Sequence, residues 1–380
     1  MQIFSSNDFQ LGILGGGQLG RMLIAEAIRF DIQTSVMDSD PNAPAFPIAN
    51  DVYLGDINIE NEVYQFGKSC QLMTIEIEAV NTIALRRLEE EGVLIFPQPH
   101  AIEILQNKLY QKQFYENYNI PTAPFFYLEN PLEIKEKKFL KPLVQKTCTA
   151  GYDGKGVFIL RNEYDFQDLL MGPSIFEDFI PNALEISVIV AKNKRGEIHC
   201  YPPVEMVFHP TANLVEYLVC PARINVDLAI KAEEIAKKVI NSLNLIGILA
   251  VEMFITPEGE ILVNESAPRP HNSGHHTLES SFTSQYEQHL RAILNLPLGS
   301  VQKKTDAVMI NLLGEPGYSG KVKYLGIEEV LEIPGVMLHI YGKKETRPFR
   351  KMGHITILDS NVDEALSKAN WVKNKLKVIS

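Results

Sequence analysis

Apolar and polar positions along the first hundred residues fall into two alternating periods. Gln10–Leu14 is a short apolar run closed by the glycine-rich segment Gly15–Gly20. Across Arg21–Phe30 apolar residues recur at Met22, Leu23 and Ala27 with polar ones between them, which predicts an amphipathic helix. Thr34–Met37 and Gln71–Ile77 read as strands. Thr82–Glu91 reads as a helix capped by Asn81 and stopped by Gly92. Strand–helix–strand repetition of this kind predicts a parallel sheet with helices on both faces.

From Lys108 the pattern changes. A Tyr/Gln/Lys-rich helix ends in the proline-bearing segment Ile120–Pro124, and short strands follow at Phe139–Lys146, Val157–Leu160, Ser174–Phe179, Ile186–Ala191 and Ile198–Tyr201. A long helix is expected over Val226–Leu243, with Asn225 as its cap and an apolar stripe at Ile230, Ile235, Val239 and Leu243. Pro297 and Pro316 frame a further boundary. The expected organisation is 1–107, 108–298 and 299–380.

Length and charge narrow the function. A chain of 380 residues should form about two or three domains. Its 36 Lys and Arg against 47 Asp and Glu leave a net charge of −11, which argues against nucleic-acid binding. No apolar run approaches the ~20 residues of a membrane span, and no signal-type start is visible. Cys70, Cys148, Cys200 and Cys220 form no CxxC pair, so reduced thiols and a cytoplasmic location are expected.

Five segments could carry chemistry. Gly15-Gly16-Gly17-Gln18-Leu19-Gly20 fits G-x-G-x-x-G, with Asp38 at the end of the next strand. It suits a dinucleotide, another phosphate-bearing ligand, or a tight turn that binds nothing. A second glycine loop, Lys146–Gly156, lies between two strands, where its N–H groups could fold over phosphates beside Lys146 and Lys155. A hairpin joins Ala250–Ile255 to Ile261–Asn264 through Pro257–Glu260; if Thr256 faces Ile261, Glu252 faces Glu265. Two carboxylates side by side repel unless a cation lies between them, and oxygen-only ligation suits Mg²⁺, with Asn264 as a neutral third ligand. The loop that follows, Ser266–His276, holds Arg269, His271, Asn272, Ser273, His275 and His276. These suit an anion better than zinc. Near the C-terminus, Lys343–Lys351 packs five basic residues into an acidic chain, either as a solvated run or as a phosphate pocket.

Taken in order, GILGGGQLGRML, TIEIEAV, KTCTAGYDGKG, VEMF…ILVNESAPRPHNSGHHT and ETRPFRKMGH resemble the N5-carboxyaminoimidazole ribonucleotide synthetases, ATP-grasp enzymes of purine biosynthesis, from about Leu11 to Ile357. The resemblance implies a mixed α/β and α+β, three-domain ATP-grasp architecture with a Rossmann-like N-terminal domain, usually a homodimer. It implies ATP, Mg²⁺ and bicarbonate acting on aminoimidazole ribonucleotide through carboxyphosphate. By match, Lys108, Lys146 and the loop Gly151, Tyr152, Asp153, Gly154, Lys155, Gly156 and Val157 contact ATP. Glu177, Asp178, Phe179 and Ile180 line the adenine, Glu185 holds the ribose, and Asn264 and Glu265 complete the nucleotide site. Glu252 and Glu265 hold the metal. Gln18, Leu19, Glu76, Tyr152 and Asp153 face the ribonucleotide, and Lys344, Arg347, Arg350 and Lys351 surround its phosphate. Arg269, His271, Asn272 and Ser273 grip bicarbonate, with Asp153 as proton acceptor.

The sequence departs from the family pattern at Cys148 and Ala150, where Arg and Gly are common, and at Ile75 and Ala79 around Glu76. The family's nucleotide-side histidine has no clean counterpart, because ungapped counting reaches Phe208 and His209 falls one residue late. Three rival readings stand beside this one: another ATP-grasp ligase, for instance one using formate; a nicotinamide dehydrogenase built on the first glycine loop; and a degenerate, non-catalytic nucleotide sensor, against which the paired glutamates, Lys146 and the PRPHNSGH loop argue.

Overall fold

The structure, a computed structural model, describes residues 9–137, 139, 141–149, 156–209 and 214–380. The N-terminal unit is a five-stranded parallel sheet in the order Asp51–Leu54, Gln33–Asp38, Gln10–Leu14, Leu72–Ile75, Leu94–Ile95. Its central strand, QLGIL, is buried on both faces, as a parallel strand between helical layers must be. The first helix begins at Gln18, three residues earlier than the periodicity predicts, because Gly17 caps it and Gly20 lies in its first turn. Asn81 caps Thr82–Glu90 by accepting the Ala84 N–H at 2.9 Å, and Gly92, at φ +97°, turns the chain away.

A small antiparallel sheet follows, in the order Phe125–Leu128, Ser174–Asp178, Leu143–Thr147, Val157–Leu160. Its third strand starts at Leu143 rather than Phe139, just past Pro142, which has no N–H to give a ladder.

Among the described residues, nine strands then form one sheet. Eight run Ile261–Ala267, Gly247–Ile255, Leu184–Lys192, Val204–Phe208, Val215–Cys220, Asp306–Leu313, Lys351–Asp359, Val336–Ile340, with Ile198–Cys200 paired to Leu184–Lys192. The last three come from the C-terminal eighty residues. They therefore share a hydrogen-bonded ladder with the middle of the chain, Leu218 pairing with Met309. The helix Val226–Ser242 covers the sheet with Ala232, Ala236, Val239 and Ile240. Ile230, expected in that stripe, is 50% exposed, because it lies two residues and about 200° from Ala232.

All four cysteines are buried free thiols. No helix of the described residues is long and apolar enough to cross a membrane.

Candidate active site

The hairpin places Glu252 directly opposite Glu265, but by a different route from the one the sequence suggests. Thr256 N–H bonds to Glu260 C=O at 2.9 Å, leaving a three-residue turn with Gly259 at φ +84°. The ladder from Ile255↔Ile261 to Met253↔Val263 thus runs one residue out of the expected register. A bulge at Asn264 restores the offset before Glu252. A bulge sets two residues against one, so neighbours that would otherwise point to opposite faces both serve the site. Asn264 Oδ1 accepts from Lys146 Nζ at 2.6 Å, and Glu265 is ion-paired with Lys108. Burial and the facing Glu265 push Glu252 up, while Lys108 pulls Glu265 down. Glu265 is therefore balanced by a lysine, whereas among the described residues no lysine or arginine is ion-paired with Glu252, so an oxygen-coordinated cation fits between them.

Lys146 also donates to Glu177 Oε2 at 3.0 Å. Glu177, expected against the adenine, is 2% exposed and lies between two lysines. Its Oε1 is 3.2 Å from the ammonium of Lys112, a buried residue that sequence reasoning missed. Burial opposes ionisation of Glu177, yet Lys146 and Lys112 together hold it below the usual carboxylate range. Its side chain is committed to these lysines, so any contact with the base falls to its backbone and to the half-buried Asp178, Phe179 and Ile180. Glu185, half-buried at the start of the Leu184–Lys192 strand, is raised to about 7 by burial. Gly156 closes the β-hairpin through its C=O to Thr147 N–H, with Val157 paired to Lys146. Gly151, Tyr152, Asp153, Gly154 and Lys155, with Ala150, lie outside the described residues.

The first glycine loop is already filled. Gly16 N–H donates to Asp38 at 2.6 Å, and Gly17 and Gly20 N–H donate to the two oxygens of Glu76 at 2.9 and 2.8 Å. A Cβ on Gly17 would strike that carboxylate. The protein's own anions take the amides a dinucleotide pyrophosphate would need, which removes the dehydrogenase reading. Gln18 is half-buried in the first helical turn, whereas the Leu19 side chain packs into the N-terminal core and can offer only backbone. Two residues past Glu76, Glu78 is ion-paired with Arg269, Oε1 to Nε at 2.9 Å, and ties the loop after the hairpin to the N-terminal sheet.

That loop is fixed from below. Gln285 accepts from His271 N–H at 2.9 Å and returns a bond to His271 C=O at 2.8 Å; it leaves no room for a side chain at Gly274. His271 Nε2 is 3.4 Å from Glu252, and its Nδ1 meets Ser273 Oγ at 2.8 Å, which meets Ser187 Oγ at 2.8 Å. Both ends of the Asn272 amide are buried without a hydrogen-bond partner among the described residues, as expected of a group awaiting a small polar ligand. His275 and His276 bond instead to Tyr286 and Ser280, so the three histidines do not converge on a metal.

The basic run returns to the N-terminal unit. Lys344 Nζ donates to Asn42 Oδ1 at 2.5 Å, Lys343 to the Lys351 carbonyl at 2.8 Å and Arg350 to the Glu345 carbonyl at 2.7 Å, while Arg347 is exposed. His209 lies edge-on to Phe349, 5.5 Å between ring centres, and so belongs beside this run.

This architecture, with one lysine on a small antiparallel sheet and another at the start of the helix Lys108–Asn117, both facing a glutamate-bearing hairpin on a larger sheet, is that of an ATP-grasp ligase. The ATP-grasp domain model matches residues 113–286, the ribonucleotide synthetase preATP-grasp domain residues 9–106, and the phosphoribosylaminoimidazole carboxylase C-terminal domain residues 307–368. The N5-carboxyaminoimidazole ribonucleotide synthase of Bacillus subtilis is 36% identical over 364 residues, covering 93% of this chain and 92% of that protein. The crystal structure of the Thermotoga maritima synthetase superposes with a TM-score of 0.89 at 43% identity, covering 98% and 99% of the two chains. The chloroplastic phosphoribosylaminoimidazole carboxylase of Vigna aconitifolia is 38% identical over 93% of this chain, which spans only 64% of that longer protein. The chain belongs to the N5-carboxyaminoimidazole ribonucleotide synthase family.

Proposed function

We propose that this protein carboxylates 5-aminoimidazole ribonucleotide with bicarbonate at the expense of ATP, giving N5-carboxyaminoimidazole ribonucleotide, ADP and phosphate. Glu252 opposite Glu265, with Lys108 and Lys146 on one side and the Arg269–Ser273 loop on the other, carries the reading. Lys108 and Lys146 take the nucleotide phosphates, Glu185 the ribose, and the backbone of Glu177–Ile180 the base. Glu252 and Glu265, with Asn264 beside them, hold Mg²⁺, which when bound screens phosphate charge.

Arg269, His271, Asn272 and Ser273 orient bicarbonate. A bicarbonate oxygen forms a bond to the γ-phosphorus as the bond to the β–γ bridging oxygen breaks, so ADP leaves and carboxyphosphate forms. Carboxyphosphate then splits into CO₂ and phosphate. The substrate amine attacks the CO₂ carbon, and its proton passes to Asp153. Gln18 and the Glu76 segment border the ribonucleotide, with Lys344, Arg347, Arg350 and Lys351 around its phosphate. The division at 107 and 298, a homodimer and a cytoplasmic location complete the proposal.

The test is ADP release. Aminoimidazole ribonucleotide with bicarbonate should stimulate it, while formate should not. Glu265→Gln should lower the stimulated rate at least ~100-fold by removing a metal ligand and the partner of Lys108. Stimulation by formate, or undiminished activity in Glu265→Gln, would overturn the reading.

A further inference from the structure

Lys112 is 2% exposed, a position that lysine seldom takes without a specific partner. It lies on the helix Lys108–Asn117 behind the nucleotide lysines, enclosed on three sides. Its Nζ donates to Thr122 Oγ1 at 2.5 Å, approaches Glu177 Oε1 at 3.2 Å and lies 5.9 Å from the centre of the Phe125 ring. Thr122 cannot turn away, because its hydroxyl donates to Val263 C=O at 2.7 Å. The only partner of Glu177 Oε1 among the described residues is this ammonium, since no hydrogen bond reaches the atom. The other oxygen, Oε2, accepts from Lys146, which is also held by Asn264.

Three charges thus stand in a row, two cations sharing one buried carboxylate. A lone Lys146–Glu177 pair would be close to neutral and would offer little to a phosphate. With Lys112 drawing on the same carboxylate, the triad keeps a net positive charge, and Lys146 is its end nearest the glutamate-bearing hairpin, bonded to Asn264.

We infer that Lys112 is a positioning residue for nucleotide binding: by engaging one oxygen of Glu177 it lets the other oxygen orient Lys146 without cancelling its charge. This rests on the reading of Lys146 as a phosphate ligand. Lys112 itself touches no substrate, being sealed behind Glu177.

The experiment is calorimetric titration of the full chain with ADP in the presence of Mg²⁺, alongside steady-state kinetics. Lys112→Met removes the charge, and Lys112→Gln removes it while keeping a hydrogen-bond donor for Oε1, which protects the fold. Both should weaken ADP about tenfold and raise KM for ATP in proportion, with kcat changed less than about threefold. Lys112→Met combined with Glu177→Gln should recover ADP affinity to within about threefold of wild type, because nothing then neutralises Lys146. Variants that bind ADP as tightly as wild type and lose only thermal stability would overturn the inference. So would a double variant that binds no better than Lys112→Met. Lys146→Met separates the underlying reading: unchanged ADP affinity there would remove Lys146 from the phosphate site, and Lys112 with it.

Discussion

At Glu185 the fold raises a carboxyl from its usual 4.5 to about 7, chiefly by burial. A raised value means that ionisation costs the folded chain. The stability this group contributes is fully present below about 4.5 and is lost as pH rises through about 7. Glu185→Gln should therefore gain thermal stability relative to wild type between pH 5 and pH 8, a difference readable by scanning calorimetry without ligand. Nucleotide affinity should run the other way: if the ribose hydroxyls need a carboxylate, wild-type ATP binding strengthens through pH 7 while that of the variant stays flat. A flat wild-type profile would take the ribose away from Glu185. Residues of this sort are legible unevenly in the sequence. Glu252 and Glu265 stand out because charge inside an apolar strand is conspicuous. Lys112 does not, because a lysine on a Tyr/Gln/Lys-rich helix reads as solvated, and Glu177, Thr122 and Phe125 converge on it only after folding. Gln285 is hidden for the same reason, fourteen residues from the His271 it grips.

The hairpin shows what alternation can and cannot deliver at the scale of an element. Both strands and the pairing of the two glutamates follow from the sequence, although the expected turn is one residue too long and alternation gives no sign of the bulge at Asn264. The two differences cancel at Glu252, and the bulge gives neighbouring Asn264 and Glu265 a common destination. Gly259, at φ +84° and with nothing within 4 Å of where a Cβ would stand, isolates the turn's contribution. Gly259→Ala should cost about 1 kcal/mol in chemical denaturation through backbone strain alone, leaving kcat unchanged. A loss of activity would mean the turn takes part in aligning the glutamates.

For the whole molecule, the parallel N-terminal sheet and the change of architecture near Lys108 are visible as changes of period. The run of one sheet through the expected boundary at residue 298 is not, since strand order depends on long-range pairing that periodicity does not encode. Truncation after residue 298 should therefore leave Val215–Cys220 as a bare apolar edge, and size-exclusion chromatography should show aggregate in place of a shortened enzyme. The contact of Lys344 with Asn42, 302 residues apart, joins the two ends of the chain. Lys344→Ala should raise KM for the ribonucleotide about tenfold and leave KM for ATP unchanged, as a lost phosphate contact requires. A net charge of −11 is compatible with this, because the cations that matter are gathered in a few places. Glu76, threaded into the glycine loop from a neighbouring strand, has one more effect. The most recognisable motif in the chain is stoppered by its own side chain, so an engineer wishing to make this domain accept a dinucleotide would begin by excising a carboxylate fifty-nine residues downstream of Gly17, with the glycines untouched.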